Sequence, residues 1–196
     1  MSRGDMLDVA LTFLVKNFNA YLKARTSSEL GAAAVSPVAD DAGKWLIAPG
    51  TIGAALINVE EERILRSPVP ETTYVGGRHI VVPPPLKVNL HVLFASNFVN
   101  AKGYDQALRY LSYVLKYFQA HPVFTQTEYP DLDPGIERLT VELLSLSYDQ
   151  LNQIWAFVGA KQLPSAVYKI RVLLLQDADP QIGAPVERID TDAHRR

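Results

Sequence analysis

The 196 residues of this chain are 48% hydrophobic and 20% charged, which is enough apolar sequence for one domain with a substantial core. The 19 Lys and Arg residues are balanced by 21 Asp and Glu residues, and no basic cluster longer than Arg195-Arg196 provides the local positive charge that nucleic-acid binding requires. The chain has no cysteine, which excludes disulfides, thiolate nucleophiles and Cys-ligated zinc.

The first segment predicts a helix rather than an export signal. From Leu7 to Leu22, apolar residues recur at three- and four-residue steps, so residues 5–23 are predicted to form an amphipathic helix that covers a core. Asp8 and Lys16 interrupt this run, which is therefore unlike a signal peptide. Because no stretch approaches the ~18 uninterrupted apolar residues of a spanning helix, we expect a soluble protein with neither an export signal of its own nor a membrane partner.

Two segments rich in turn-forming residues are predicted to be arms. Residues 26–53 contain repeated Ser, Gly, Pro and Asp, with at most a short strand at 44–48, and a long loop of this kind is usually functional or disordered. Residues 67–85 contain five prolines, which indicate extended chain. Within this second arm, β-prone residues on either side of Gly76-Gly77 predict a hairpin with these glycines at its turn.

A strand is predicted between the two arms, at residues 54–65. It ends in Glu60-Glu61-Glu62-Arg63, and the alternation of a strand places Glu60 and Glu62 on one face and Glu61 on the other. Three adjacent carboxylates are most often a solvated strand end, which is the interpretation we adopt. Acid–base chemistry or a metal site is the alternative.

The clearest strand of the chain is predicted at residues 86–95, and a helix at 104–120 follows it. The apolar face of the strand consists of Leu86, Val88, Leu90, Val92 and Phe94. The buried stripe of the helix is predicted to consist of Ala107, Leu108, Leu111, Leu115 and Phe118, with the tyrosines near its edges.

The last third of the chain predicts a strand at 139–146, a short helix, and a strand at 166–175. Ser147 and Gln150 form a capping-box pattern that opens the helix, and Gly159 closes it. Residues 177–196 are read as a polar C-terminal tail. The whole order predicts a single α+β domain at residues 1–176, with a mixed sheet of about four main strands and helices packed chiefly on one face.

Motifs for catalysis or cofactor binding are not found in the sequence. There is no Gly-Lys-Ser phosphate loop and no Gly-x-Ser-x-Gly elbow, and the four histidines never stand at metal-ligand spacing. The segment from Asp131 to Gly135 is only faintly similar to a calcium loop, because two prolines interrupt it and the glutamate at position twelve is missing. We therefore predict no enzymatic activity, no cofactor and no metal.

Several segments together resemble the cap, or tail-terminator, proteins of phage-tail-like extracellular contractile injection systems. The resemblance spans about residues 5–176 in the same order. The segments that carry it are 58–63, 84–97, 104–124, 139–143, 149–155 and 164–172. The two predicted arms are the parts that match least well.

The resemblance implies a structural role. Caps of this kind are α+β subunits that close into a six-fold ring over the distal end of the inner tube and sheath, stop polymerisation and lock the last sheath layer. The implied partners are further copies of the chain, the tube protein and the sheath protein, with neither nucleic acid nor membrane. Another ring-forming tail or neck connector is the alternative within this class.

The residues predicted to contact partners lie in the second arm and at the end of the strand before it. They are Tyr74, Val75, His79, Ile80, Val81, Val82, Glu60, Glu62 and Arg63. A small-molecule-binding or hydrolytic protein is the alternative from another class, and it would use Glu60 to Glu62 and His91 around a pocket.

Overall fold

The computed structural model describes residues 6–62, 71–75, 78–82, 86–98, 103–174 and 181–182. The elements within these ranges are α1 (Met6–Thr26), β1 (Ala33–Val35), β2 (Thr51–Glu61), β3 (Glu71–Val75), β4 (Arg78–Val82), β5 (Leu86–Asn97), α2 (Tyr104–Ala120), β6 (Val123–Thr125), β7 (Ile136–Leu143), α3 (Tyr148–Val158), β8 (Ser165–Leu174) and β9 (Gln181–Ile182). The predicted α+β class is confirmed.

A six-stranded mixed sheet forms the centre of the fold, in the order β1-β2-β5-β8-β7-β6. β1 runs parallel to β2, and the other neighbouring strands are antiparallel. The four long strands β2, β5, β8 and β7 correspond to the four main strands that the sequence predicts. The difference in number comes from β1 and β6, which are only three residues long and show too little alternation in the sequence to be recognised.

α1 and α2 cover one face of this sheet, which we call the inner face. Alternate residues of β5, namely Val88, Leu90, Val92 and Phe94, point to this face and are buried in one hydrophobic cluster. Ile170 of β8 lies beside Leu90 in the register and is fully buried with it. The predicted apolar face of β5 is therefore confirmed where side chains are described.

α3 covers part of the opposite face, which we call the outer face. A second cluster lies there, in which Leu93 and Ala95 of β5 pack with Trp155 of α3. Val38 and Ile47, from the connection between β1 and β2, are buried in the same cluster. Two helices thus lie on one face and a shorter one on the other, which agrees with helices chiefly on one face.

Residues 26–53, which the sequence predicts to be an arm, lie against the chain's own sheet instead. Ala33 in β1 is 6% exposed, and Val38 and Ile47 are 4% and 2% exposed. The short strand that the sequence allowed at 44–48 does not form, and this segment contributes only an isolated bridge between Ala39 and Trp45. Tertiary packing, rather than pairing in a ladder, brings Val38 and Ile47 onto the sheet.

The ends of the elements agree with local capping signals in the sequence. The Ser147 hydroxyl accepts a hydrogen bond from the Gln150 backbone N–H, and the Gln150 side-chain oxygen accepts one from the Ser147 backbone N–H. The predicted capping box is therefore confirmed. Gly159 ends α3 in the left-handed conformation, with φ of 72°. The predicted helices at 5–23 and 104–120 appear as α1 and α2, while β2 begins three residues before the predicted strand and positions 63–65 lie outside the described residues.

The buried face of α2 differs from the predicted one. Its buried residues are Ala107, Tyr110, Val114, Tyr117 and Phe118. Leu108 is 43% exposed, so its assignment to the core is wrong, as is that of the half-buried Leu111. The helix is rotated toward its tyrosines because their rings find aromatic partners, with Tyr110 stacked on Phe98 at 5.2 Å between ring centroids.

Candidate interaction surface

The predicted hairpin is present as β3 and β4, which we call the hairpin arm. The two strands are antiparallel, with Tyr74 paired with His79 and Val75 paired with Arg78. The antiparallel pairing confirms the predicted hairpin, although the two glycines themselves lie outside the described residues. The five candidate contact positions from Tyr74 to Val81, and Val82 beside them, all belong to these two strands.

The hairpin arm pairs with the chain's own C-terminal segment. Ile80 pairs with Ile182 and Val81 with Gln181, which makes a three-stranded sheet in the order β3-β4-β9. Among the described strands, none joins this small sheet to the six-stranded one. The segment that the sequence predicts to be a polar tail thus contains a short strand, which only its pairing with β4 reveals.

In the order of the chain, β4 of the hairpin arm comes directly before β5, and β9 comes directly after β8. Leu86 at the start of β5 pairs with Leu174 at the end of β8, and further out Ile80 pairs with Ile182. Between these two pairs, the prolines at positions 83–85 have no amide proton to donate to a ladder. The small sheet therefore leaves the main sheet at the end where β5 begins and β8 ends.

A row of charged and polar side chains crosses the outer face at the same end of the main sheet. Glu60 Oε2 lies 3.4 Å from His91 Nε2, and Glu60 Oε1 accepts a hydrogen bond of 3.0 Å from Asn58 Nδ2. Glu62 Oε2 accepts a hydrogen bond of 3.0 Å from Asn89 Nδ2. The alternation that places Glu60 and Glu62 on one face is confirmed by these contacts.

The charged row extends through the next two strands. Lys169 Nζ lies 3.8 Å from Glu62 Oε2, and Arg171 Nη2 donates a hydrogen bond of 2.9 Å to Glu142 Oε2. The side chain of Glu62 is only 12% exposed, whereas that of Glu60 is 51% exposed. Glu60 thus remains accessible to a partner, while Glu62 is engaged within the subunit; Arg63 lies outside the described residues.

The carboxylates of the described residues are arranged differently from the ligands of a metal site. Within the described part of the chain, no three His, Asp or Glu side chains converge as metal ligands. Asp131 forms an ion pair with Lys16 at 3.0 Å, and Asp133 accepts the Gly135 amide at 2.7 Å, so both carboxylates of the calcium-like segment have other partners. His121 Nδ1 lies 3.0 Å from the Tyr129 hydroxyl oxygen. His121 is also distant in sequence from His91.

The largest pKa displacements among the described residues belong to phenols in the core. Burial raises the pKa of Tyr168 to about 12 and raises that of Tyr117 still further. Both hydroxyls are therefore held neutral, which is the opposite of an activated nucleophile or base. In the ranges that the structure describes, no helix has the length and apolarity needed to cross a membrane.

A groove on α3 is a surface feature that sequence reasoning missed. About 360 Å³ in volume, it is lined by Tyr148, Leu151, Asn152, Trp155, Ala156, Ala160 and Gln162. Tyr148 is 92% exposed, and Phe157 on the same helix is 82% exposed.

The fold is that of proteins that terminate contractile tails. The sheath/tube terminator of the extracellular contractile injection system PVC, solved in its extended state, matches with a TM-score of 0.56 and 17% identity over 93% of this chain and 62% of that chain. The tube-terminating cap of the anti-feeding prophage matches with a TM-score of 0.56 and 19% identity, covering 90% of this chain and 59% of that chain. This chain therefore spans about three fifths of the length of these terminators.

The family to which this chain belongs is identified by its sequence, in agreement with its fold. Residues 10–188 match the model of the Pvc16 N-terminal domain, and the chain belongs to this family. No curated protein matches the chain significantly in sequence. The resemblance stated from the sequence, to caps of extracellular contractile injection systems, is confirmed by the family and by the solved structures.

Proposed function

We propose that this chain caps the distal end of the inner tube and sheath of a contractile injection particle, where it stops polymerisation and anchors the last sheath layer. The observation that carries this proposal is the family match over residues 10–188, supported by a fold shared with two solved tube terminators. The protein acts by contact alone, as a six-fold ring of identical copies bound to tube and sheath subunits. The chain is in the cytoplasm while the particle assembles, and it is afterwards a part of the particle.

Electron microscopy of particles tests this role directly. Particles that carry the chain with a fused label should show the label at one end, opposite the baseplate. Particles made without the chain should have tubes and sheaths of variable length, because nothing then stops their polymerisation. Label along the whole sheath or at the baseplate, or normal particle lengths without the chain, would contradict the proposal.

The hairpin arm is the surface that we propose for contact with a neighbouring subunit, the tube or the sheath. Its strands pair with β9 and with no described strand of the main sheet, so the arm adds nothing to the pairing of the central sheet. Prolines at positions 68, 70, 83, 84 and 85 restrict the unbound chain, which reduces the entropy lost on docking. Tyr74, Val75, His79, Ile80, Val81 and Val82 are its contact residues in this proposal.

Glu60 is the second proposed contact. Its side chain is half exposed at the end of the sheet from which the hairpin arm departs. Glu62 provides a matched comparison, because it lies on the same face but is enclosed by Asn89 and Lys169. We expect Glu60→Gln to weaken binding to tube ends with unchanged stability, and Glu62→Gln to lower the stability of the subunit.

A further inference from the structure

The second half of β2 is an open edge of the main sheet. β1 pairs with β2 only from Ile52 to Ala54, and among the described strands no other lies beside β2 on the side away from β5. Ile52 and Ala54 are fully buried, whereas residues 56–60 are exposed apart from the half-buried Ile57. An open strand edge is a template on which another strand can pair.

Backbone groups of this segment point toward the open edge. The Ala54 carbonyl bonds toward the β1 side, so the two-residue period of a strand directs the N–H and C=O of Leu56 to the same side. After the bulge that follows Leu56, the Glu62 amide donates toward β5, which turns Val59 to the open edge. The Val59 amide donates to Asn58 Oδ1 at 2.9 Å, so a side chain occupies the place of a neighbouring strand's carbonyl.

The open edge also exposes apolar side chains. Leu56 and Val59 are 39% and 43% exposed. Their partners in the β5 register, Val92 and Leu90, are fully buried. The exposure is therefore confined to the edge strand, and a strand placed beside it would cover both side chains.

The hairpin arm contains a second open edge of the same length. β3 is the outer strand of the small sheet β3-β4-β9, so no described strand lies on its side away from β4. It has five residues, as does the exposed segment 56–60 of β2. Strands that follow each other in a chain usually lie side by side, yet β2 and β3 belong to different sheets.

The charges near the two edges favour a parallel arrangement. The open segment of β2 ends at Glu60, whose side chain is 51% exposed. β3 begins at Glu71, while Val75 at its other end pairs with Arg78 of β4. Antiparallel pairing would set Glu71 beside Glu60, whereas parallel pairing brings the end with Arg78 to Glu60. β1 also runs parallel to β2 along this edge.

A parallel pair of β2 and β3 is disfavoured within one copy. Only residues 62–70 connect the two strands, and parallel neighbours need a crossover connection of about a dozen residues or more. A second copy of the chain has no such restriction. The two open edges therefore fit each other between copies rather than within one.

We propose that β3 of one copy pairs in parallel with residues 56–60 of β2 in the next copy, with Arg78 of the first beside Glu60 of the second. This inference rests on the proposed function and deepens it, because it names the neighbour of the hairpin arm and the surface that receives it. The two edges are different surfaces, so the contact is heterologous, and repeated rotation closes such contacts into a ring.

Disulfide trapping tests the pairing with the full chain, which has no cysteine of its own. Copies with Leu56→Cys are mixed with copies with Glu71→Cys, at purified particle ends and in concentrated solution, and mild oxidation should join the two kinds of copy. Leu56→Cys mixed with Val75→Cys is the matched control. In the parallel pair these two positions are about 13 Å apart along the strand, which exceeds the reach of about 7 Å between the Cα atoms of a disulfide.

Charge reversal tests the contact between Arg78 and Glu60. Glu60→Arg in the Leu56→Cys copies, or Arg78→Glu in the Glu71→Cys copies, should each reduce the disulfide yield about tenfold, and the two together should restore it. Glu128→Arg, at an exposed position beyond β6 at the other edge of the sheet, should leave the yield unchanged. If Glu60→Arg lowers the thermal midpoint of the subunit, Arg78→Glu in the hairpin arm provides the same comparison.

The outcomes separate this contact from the proposed cap role. Disulfides of Leu56→Cys copies with Val75→Cys copies, with each other, or with tube or sheath protein would overturn the inference, as would no disulfide in either setting or a yield unaffected by charge reversal. If labelled wild type marks particle ends but positions 56 and 71 are never joined, the contact is wrong and the cap role stands. If the label never appears at particle ends, the cap role fails, while trapping in solution still decides the contact.

Discussion

At the scale of single residues, Gly31 combines a left-handed backbone conformation with close packing against the ring of Tyr110. Gly31 has φ of +79°, a conformation that side chains with a Cβ rarely adopt. Its missing Cβ leaves room for the ring of Tyr110. Its amide donates to the Gly50 carbonyl at 2.7 Å, so the turn after α1 is also tied to the start of β2.

We expect Gly31→Ala to destabilise the fold by about 2–5 kcal/mol, because left-handed strain of about 1–2 kcal/mol adds to overpacking of about 1–3 kcal/mol. The measurement is the midpoint of urea unfolding. Gly159→Ala is the matched control, since φ there is +72° but no atom lies within 4 Å of the added Cβ. Equal effects of the two substitutions would show that the Tyr110 ring is not the cause.

A second prediction at this scale concerns alkaline pH. Burial raises the pKa of Tyr168 to about 12 from its ordinary value of 10. Between pH 10 and 12 the unfolded chain loses this proton while the folded chain keeps it, so the free energy of unfolding falls as pH rises. Tyr168→Phe should make this fall less steep, as measured by urea unfolding across that pH range. Tyr148→Phe removes a phenol that is 92% exposed and should leave the profile unchanged.

At the scale of the secondary-structure element, the stability of α3 depends on its capping interactions more than the stability of α1 or α2 does. It has eleven residues, which is shorter than the ~12–15 residues at which isolated helices become even marginally stable. Trp155 is its single buried residue. Its ends are therefore held by the Ser147–Gln150 capping box and by Gly159.

We expect Ser147→Ala to lower the stability of the subunit by about 1 kcal/mol, because it leaves the Gln150 amide without its acceptor. The decrease should appear in thermal unfolding followed by circular dichroism. Ser112→Ala is the control, since the Ser112 hydroxyl bonds to the Leu108 carbonyl within α2 and caps nothing. A control substitution as destabilising as Ser147→Ala would rule out the cap as the explanation.

The rotated face of α2 leads to another prediction. Val114 is fully buried, whereas Leu111, which the sequence assigned to the core, is half buried. Val114→Ala should therefore destabilise the subunit by more than 1 kcal/mol, and Leu111→Ala should cost less despite removing a larger side chain. Urea unfolding of the two variants gives the comparison, and the reverse order would support the face predicted from the sequence.

At the scale of the whole molecule, the six-stranded sheet and the hairpin arm are separate parts. The inner-face cluster joins α1, α2 and the central strands, and the outer-face cluster joins α3 and the connection after β1. Among the described strands, those of the hairpin arm pair with each other and with β9, and with none of the six-stranded sheet. The fold of the main sheet should therefore not depend on the arm.

Replacing residues 74–82 by a short Gly/Ser linker should leave a folded subunit. We expect its thermal midpoint to stay within a few degrees of wild type, while particles assembled with it have tubes and sheaths of variable length. Leu90→Ala is the contrasting variant, because Leu90 is fully buried and its truncation should cost about 2–5 kcal/mol. An unfolded linker variant would mean that the arm belongs to the core, and normal particle lengths would remove its proposed role.

The sequence alone determined the features whose signals are local. The period of α1, the alternation in β5, the capping box at Ser147 and the hairpin around Gly76-Gly77 all depend on residues only a few positions apart. The ordered segments of the chain likewise pointed to contractile-system caps, which the family over residues 10–188 bears out. These features need no knowledge of which surfaces meet.

Only the tertiary structure decided how distant segments meet. β1, β6 and β9 are two or three residues long and are strands only through the partners they pair with. The burial of Val38 and Ile47 under α3 and the turn of α2 toward Tyr110 and Tyr117 depend on contacts between residues far apart in sequence. Such contacts are selected by packing of whole surfaces, and this is why periodicity along the chain could not reveal them.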